Sequence, residues 1–190
     1  MDKAQLAAME KAPLGYAAKI RAKIETLLES HYRENFERWL ETERIVCKPY
    51  FHLRPSIHPA TYTDIYARSL YAAEDGDMNK LEQKLIVELT ALPNVRWWHR
   101  NIARQDFAIN GFIKHYPDIL IMTKSGKLIC AETKGEHLKN DDSREKIALG
   151  QAWRTAAGKD YRYYMVFENE ENLLPGAVSM SQFIDTVKAL

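Results

Sequence analysis

His115–Glu136, with the sequence HYPDILIMTKSGKLICAETKGE, is the stretch that decides the fold. It contains two short apolar runs, 119–122 and 128–131, separated by the polar tetrapeptide Lys124-Ser125-Gly126-Lys127. Apolar runs of this length around a glycine-containing turn predict a β-hairpin. Successive side chains of a strand point to opposite faces, and here both faces are apolar. We therefore expect the hairpin at the centre of a sheet that helices cover on both sides.

The register of this hairpin brings two acids together. If the chain turns about Ser125, residues equidistant from it face each other, so that Asp118 lies opposite Glu132, whereas a slightly different loop would shift the pairing by one position. Directly opposed residues have Cβ atoms about 4.5–5.5 Å apart, and Lys134 projects from the same face as Glu132. Two carboxylates beside a lysine can form a site for a hard cation such as Mg²⁺. A structural Asp–Glu–Lys cluster at a strand end fits the same residues, and both interpretations stay open.

Helices and strands surround the hairpin. Leucines at helical spacing, with Asn79 as the N-cap, predict a helix over Lys80–Leu92. Further strands are predicted at Val95–His99 and Tyr161–Phe167. The dipeptide Asn110-Gly111, between apolar residues, predicts a two-residue hairpin turn that requires positive φ.

Two more helices are predicted downstream of the hairpin. One is capped by Asp142 or Ser143 and runs to about Ala157, and the other is capped by Ser179 and runs to Lys188. The order of elements from residue 79 onward is therefore α-β-β-β-α-β-α.

The N-terminal part has a different character. Apolar residues at helical spacing predict a helix over about Ala4–Arg44, with Pro13 and Gly15 separating a short leading helix from a long one. We expect this appendage to pack on the core or on a partner, because Phe36 and Trp39 need to be covered.

The appendage is joined to the core by a connector. Three prolines within Pro49–Pro59 predict an extended segment, and Tyr62–Ala73 fits either a strand or a helix. The acidic stretch Glu74–Asp77, which contains a glycine, predicts a break in regular structure. We therefore expect a helical appendage and connector over residues 1–75 and a folded core over residues 76–190.

Composition excludes several classes of protein. The chain has 27 Lys and Arg, 26 Asp and Glu and 46% hydrophobic residues, which are the values of a globular protein and not of a disordered one. No apolar run reaches the roughly 18 residues of a membrane helix, and the first residues do not resemble a signal peptide. Cys47 and Cys130 predict no disulfide framework, so we expect a cytoplasmic protein. The formal net charge of +1 supplies no global attraction to nucleic acid.

Pro117-Asp118, followed by the hairpin and by Glu132-Thr133-Lys134, resembles the PD-(D/E)XK nuclease superfamily. Over residues 79–168 the segments HYPDILI, ETKGEH, DSREKIALGQAW and YRYYMVF resemble more closely the C-terminal endonuclease domain of type III restriction enzymes and related helicase-linked proteins. The resemblance implies an α/β (α+β) fold. Its restriction-endonuclease-like core would be a mixed central sheet flanked by helices in the order αβββαβ, here with a helical N-terminal appendage.

The resemblance also implies catalytic roles. Asp118 and Glu132 would bind Mg²⁺, for which Mn²⁺ can substitute, with help from the backbone carbonyl of Thr133. Lys134 would position or activate the attacking water and offset charge on the scissile phosphate.

Other roles fall on the two helices beside the sheet. Glu82 fits the first acidic position of the family, as a catalytic residue and a further candidate metal ligand, whereas Glu88 is expected to be an exposed helical charge. Lys146 and Gln151 are candidate phosphate contacts, and a place on a solvated helix fits them equally well.

The function that the resemblance implies is that of a metal-dependent DNA endonuclease domain of restriction type. Its partners would be DNA, a helicase or translocase and methyltransferase subunits, with a second copy of the chain as a further candidate. No GxxxxGK[ST] motif of a nucleotide-hydrolysing motor occurs in the sequence. A non-catalytic nucleic-acid-binding or assembly module on the same fold is the alternative, and an RNA or structure-specific nuclease is a third.

Overall fold

The structure is a computed structural model that describes residues 12–190. The chain divides into two compact units, Met1–Val46 and Cys47–Leu190, which are described separately. The first unit contains helix α1, Pro13–Glu41, which begins with proline at its first position and has no buried residue. The predicted leading helix lies outside the described residues, and Gly15 falls within the first turn of α1. In the described part of the chain, no helix combines the length and apolar composition needed to cross a membrane.

The second unit is built around a mixed five-stranded sheet. Strands β3, β6 and β7 are antiparallel neighbours, and β7, β8 and β9 run parallel, in the spatial order β3-β6-β7-β8-β9. With α1, the described residues contain four α-helices, so the prediction of a mixed α+β protein is confirmed. The elements of the second unit are β1 Tyr62–Thr63, β2 Glu74–Asp75, α2 Lys80–Ala91, β3 Val95–Arg100, β4 Ile109–Asn110, β5 Lys114–His115, β6 Ile119–Thr123, β7 Leu128–Lys134, a 3₁₀ turn Glu136–Leu138, α3 Asp141–Ala157, β8 Tyr161–Phe167, β9 Val178–Ser179 and α4 Met180–Lys188.

The predicted central hairpin is present as β6 and β7, and its register is confirmed. Ile119 pairs with Ala131 and Met122 with Leu128, so that residues equidistant from Ser125 face each other. Gly126 adopts φ +85° in the turn, a conformation that side chains other than glycine rarely adopt. Continuing this register by one residue sets Asp118 against Glu132.

Both faces of the hairpin are covered, as predicted. Helices α2 and α4 pack on one face of the sheet and form a hydrophobic core with it. The buried residues of this core include Leu85, Ile86, Leu89, Ile119, Ile121, Ile129, Ala131, Val166, Phe183 and Val187. On the other face Cys130 and Tyr163 pack beneath α3. Gly150 permits this close approach, because a Cβ atom there would lie 2.1 Å from Tyr163 Cδ1.

The hairpin predicted at Asn110-Gly111 has a longer loop than expected. Ile109 pairs with His115, so the loop has three residues, and neither Asn110 nor Gly111 has positive φ. This register buries both Ile109 and His115, whereas a turn at residues 110–111 would have set Ile109 against Phe112. Burial of the paired side chains therefore decided the register here.

Three other local expectations were wrong or incomplete. Helix α3 is capped by Asn140, whose side chain accepts from the Ser143 amide at 3.1 Å, and the Ser143 hydroxyl donates to the Leu138 carbonyl instead. The stretch Glu74–Asp77, predicted as a break, supplies strand β2, which pairs with β1. Strand β9 has only two residues and was not predicted.

The segment 47–75 belongs to the second unit. Leu70 donates its amide to the Trp98 carbonyl at 2.8 Å, and the Trp98 amide donates to the Arg68 carbonyl at 3.0 Å. These bonds add a short bridge to the outer edge of β3 at Ser69. The predicted domain boundary at residues 75/76 therefore lies inside this unit.

A buried ion cluster fastens the same segment to the sheet. His99 on β3 is fully buried, with Nδ1 2.7 Å from Glu74 Oε2 and Nε2 3.3 Å from Asp106 Oδ2. Arg54 adds a second cation, because its Nε donates to Asp106 Oδ1 at 2.8 Å. Two carboxylates thus face an imidazole and a guanidinium, and the charges balance when His99 is protonated.

The pKa values of the cluster follow from these contacts. Burial lowers the pKa of His99, but the hydrogen bonds to Asp106 and Glu74 outweigh it and raise this pKa above its ordinary 6.5. Burial raises the pKa of Asp106, but bonds from His99 and Arg54 outweigh it and lower this pKa. The histidine contribution to stability is complete below about pH 6.5 and is lost as the pH rises through the folded pKa, whereas the aspartate contribution is complete above about pH 4. The cluster therefore stabilises the fold most between about pH 4 and 6.5.

We predict that Glu74→Ala lowers the free energy of unfolding at pH 6 by about 3–5 kcal/mol, because it leaves a buried cation without one of its carboxylates. Urea unfolding followed by circular dichroism measures this loss. Glu88→Ala, on the exposed face of α2, is the control and should change the free energy by less than about 0.5 kcal/mol. Equal stability of the two variants would show that the ion cluster does not hold the segment 47–75.

Candidate active site

The two predicted acids meet at the ends of β6 and β7. Asp118 lies just before β6, and its Oδ2 accepts hydrogen bonds from the Thr133 amide at 2.8 Å and the Thr133 hydroxyl at 3.0 Å. The side chains of Glu132 and Lys134 project from the face of the sheet that α3 covers, and the Thr133 side chain projects from the opposite face. Strand β7 therefore holds one acid through Thr133 and carries the other acid itself.

Glu132 is buried, and its two oxygens differ. Lys134 Nζ lies 2.9 Å from Glu132 Oε1, and Lys146 Nζ on α3 lies 3.6 Å from the same oxygen. Oε2 is buried and has no hydrogen-bond partner, and its neighbour His115 Nε2 lies 3.9 Å away. A buried carboxylate oxygen without a hydrogen-bond partner costs free energy. A hydrogen-bond donor or a cation that binds to Glu132 Oε2 would remove this cost.

The electrostatics of the site centre on Glu132. Burial and the charge of Asp118 raise the pKa of Glu132 to about 7, against the opposing effect of Lys134 and Lys146. Burial lowers the pKa of Lys134, but the charge and hydrogen bond of Glu132 outweigh it and raise this pKa. Lys134 is therefore a cation at neutral pH, while Glu132 is close to half-ionised.

His115 and Tyr163 form the inner wall of the site. His115 Nε2 lies 3.0 Å from the Tyr163 hydroxyl, and both side chains are buried. Burial, together with the charges of Lys146 and Lys134, lowers the pKa of His115 to about 3, so its ring is neutral. His115 was noted in the sequence only as a flanking residue. Tyr163 was missed as a site residue, although its place on a strand next to β7 was the available signal.

Glu82 lies near the acids and is committed to other partners. Its Oε2 accepts from the Asn79 amide at 3.1 Å in the capping box of α2, and its Oε1 lies 3.2 Å from Arg100 Nη2. Burial raises the pKa of Glu82, Arg100 opposes this rise, and Asp118 adds to it. Glu82 therefore feels the charge of Asp118 while its own charge is balanced by Arg100.

Two further residues were proposed from the sequence on helix α3. Lys146 is brought to the site, where it bridges Glu132 and, at 2.9 Å, Asp142 on its own helix. Gln151 is half-exposed on the same helix and takes no part in the ion pairs around Glu132. Glu88 is exposed on α2, as the sequence predicted.

The residues fit a two-carboxylate metal site better than a three-ligand one. Within residues 12–190, no group of three or more His, Cys, Asp or Glu side chains is arranged to hold a metal ion. Asp118 and Glu132 can supply two carboxylates, and the unpartnered Glu132 Oε2 is a free lone-pair site. Mg²⁺ commonly takes one or two carboxylates and completes its shell with water and phosphate oxygens.

No protein-family model matches the chain, and no curated protein or solved structure matches it either.

We predict that Lys134→Met raises the pKa of Glu132 above its value of about 7, because Lys134 is the foremost group that lowers it. Carboxyl carbon shifts of protein labelled with ¹³C-glutamate, followed by NMR across pH 4–9, measure the change. Lys84→Met is the control, since Lys84 pairs with exposed Glu168 on the surface and should leave Glu132 unaltered. A Glu132 that titrates at the ordinary value of 4.5 in the parent protein would contradict the burial of its charge.

Proposed function

We propose that residues 76–190 form a divalent-metal-dependent endonuclease of the PD-(D/E)XK type, acting on DNA. The observation that carries this proposal is the unpartnered, buried Oε2 of Glu132 beside Asp118, with Lys134 on the same strand. A purely structural cluster would be expected to satisfy that oxygen. The finer fold assignment, a restriction-endonuclease-like core, is supported by the order α2-β3-β6-β7-α3-β8 and the central β6–β7 hairpin.

The reaction is hydrolysis of a phosphodiester. The water oxygen forms a new bond to phosphorus, and the bond from phosphorus to one ester oxygen breaks, which leaves a phosphomonoester and a hydroxyl. Asp118 and Glu132 would hold the cation, together with the Thr133 carbonyl. When bound, a divalent cation lowers the pKa of water and offsets charge that develops on the phosphate.

The other residues of the site supply positive charge and exclude water. Lys134 has a raised pKa, so it acts as a cation towards the phosphate and does not accept a proton from water. Lys146 adds a second positive charge from α3. The neutral pair of His115 and Tyr163 closes the inner side of the site, where the low polarity strengthens each charge interaction.

A second candidate function is a nucleic-acid-binding or assembly module that does not cleave. The absence of a three-ligand cluster in residues 12–190 favours it, as does the pairing of Glu82 with Arg100. The two candidates differ in whether a divalent cation supports cleavage.

We predict that Asp118→Asn and Glu132→Gln each abolish Mg²⁺-dependent cleavage of supercoiled plasmid, because each removes one of the two carboxylate charges. Lys134→Met should slow cleavage far more than it weakens Mn²⁺ binding, because the Lys134 ammonium interacts with the phosphate and not with the metal ion. Glu88→Gln is the matched control and should cleave like the parent. Parental cleavage by the Asp118 or Glu132 variant would refute the site, and no cleavage by the parent protein with any divalent ion would favour the binding module.

We also predict that divalent binding releases a proton below pH 7. Glu132 must ionise to bind a cation, and its pKa is about 7, so the affinity for Mn²⁺ should fall by up to about tenfold per pH unit below pH 7. Titration calorimetry in two buffers of different ionisation enthalpy counts the protons released. An affinity that is constant between pH 5.5 and 7 would contradict cation binding by a Glu132 whose pKa is raised.

A further inference from the structure

A cavity of about 370 Å³ lies on the same face of the sheet as the acids, within the usual volume range of small-molecule sites. Its floor is formed by Leu120 and Met122 of β6 and Leu128 of β7. Six aromatic side chains line it, namely Tyr50, Phe51, Trp97, Phe107, Trp153 and Tyr161. None of these residues was predicted from the sequence to belong to a site.

The aromatic rings are arranged edge to face. Phe107 lies 5.7 Å from Phe51 and 5.7 Å from Trp153, and Trp153 lies 5.8 Å from Tyr161, with interplanar angles of 62–80°. Edge-to-face packing is a favoured arrangement of aromatic pairs, and within this group Phe107 and Trp153 are buried. Tyr50 and Phe51 are exposed by 73% and 40%, although they line an apolar cavity.

The polar group at the cavity indicates what kind of ring fits. Asp160 is the charged residue of the lining, and its carboxylate accepts from Lys127 Nζ at 2.6 Å. A carboxylate accepts hydrogen bonds from N–H groups, and the charge of Asp160 is balanced by Lys127. The mainly aromatic and aliphatic lining, with one carboxylate acceptor, therefore suits a flat heteroaromatic ring with N–H donors on its edge.

The position of the cavity relates it to the acids. Leu120 and Met122 of β6 point to the same face as Asp118, which lies just before the strand. The floor therefore lies about 7–13 Å from Asp118 at roughly 3.3 Å per residue. Successive nucleotides of one strand are at least about 3.4 Å apart, the spacing of a stacked duplex, so this span corresponds to at most about four nucleotides.

We propose that this aromatic pocket takes one unpaired base of the nucleic-acid strand whose phosphate lies at Asp118 and Glu132. The proposal rests on the proposed function, because it assumes that a strand lies at the acids. The pocket stacks the base on its rings, and Asp160 accepts from the edge of the base. It thereby fixes the register of the strand within about four nucleotides of the cleaved bond.

The test is the affinity for a fluorescein-labelled, mixed-sequence single-stranded oligonucleotide, measured by anisotropy in EDTA so that no cleavage occurs. Phe51→Ala and Tyr50→Ala should each weaken binding roughly 5- to 100-fold, the range of one base stacked on an aromatic side chain. Ile65→Ala is the matched control, since Ile65 is 77% exposed on the same connector and does not line the cavity. Thermal unfolding followed by circular dichroism verifies that all three variants are folded.

A series of oligonucleotides with a single abasic site completes the test. At one position in the strand, removing the base should weaken binding to the parent and should cancel the difference between the parent and Phe51→Ala. Equal affinity of Phe51→Ala, Tyr50→Ala and Ile65→Ala, with no sensitive abasic position, would overturn the pocket. Binding of free 2-aminopurine riboside without any sensitive position in the strand would assign the pocket to a free nucleoside and overturn the proposal as well.

The outcomes separate this proposal from the nuclease assignment. Divalent-dependent plasmid cleavage by a parent protein whose Phe51→Ala variant binds normally would leave the nuclease and overturn the pocket. A sensitive abasic position in a protein that does not cleave with any divalent ion would support the pocket and overturn the nuclease.

Discussion

The pairing register of β6 and β7 is the constraint on which both the fold and the candidate site depend. A slip of one residue would turn every side chain of one strand to the other face, so that Asp118 and Glu132 would no longer share a face. The register is set by the turn at the far end of the hairpin. The Thr123 amide donates to the Lys127 carbonyl at 2.9 Å, and the Lys127 amide donates to the Thr123 hydroxyl, also at 2.9 Å. Gly126 supplies the left-handed residue of the turn. The geometry of the acids is thus fixed by local turn chemistry at the opposite end of the strands.

Residues 12–190 contain two buried clusters of acids and bases, and the clusters differ in how well their carboxylate oxygens are supplied with hydrogen-bond donors. Around His99, the oxygens of Glu74 accept from Tyr71, Arg100 and the imidazole, and Asp106 also has donors on both oxygens. In contrast, Glu132 has one oxygen paired with lysine and one with no partner. Buried carboxylates therefore stabilise the fold around His99, whereas at Glu132 one carboxylate oxygen stays available for a ligand. Conflicts of this kind between burial and polar satisfaction are typical of functional sites.

The parts of the structure that the sequence predicted are those in which short-range patterns decide. Two short apolar runs around a glycine-containing turn were enough for the β6–β7 hairpin. Asn79 and Ser179 were recognised as helix caps from their position before apolar helices. The acidic pair followed from the hairpin alone. The raised pKa of Glu132 could not be predicted from the hairpin, because the burial of this side chain depends on α3 and on the wall formed by His115.

The parts that were missed depend on contacts between distant segments. Glu74 looked like a residue of a polar break, yet its carboxylate is buried against His99, which is 25 residues away in sequence. The aromatic cavity joins a connector loop, four strands and a helix, so no local pattern marks it. The loop after Asn110 was also decided at a distance, because it is the burial of His115 beside Tyr163 that selects the pairing of β4 with β5.

Helix α3 connects the acids to the aromatic cavity. Its first turns place Lys146 beside Glu132, and Trp153, two turns later, forms a wall of the cavity. Between them Gly150 lets the helix contact Tyr163 directly, and Tyr163 in turn bonds to His115. Since a helix is rigid along its axis, with a rise of about 1.5 Å per residue, the spacing between the two features is held at about 10 Å along α3. The close contact at Gly150 therefore sets the height of α3 above the sheet for both features at once.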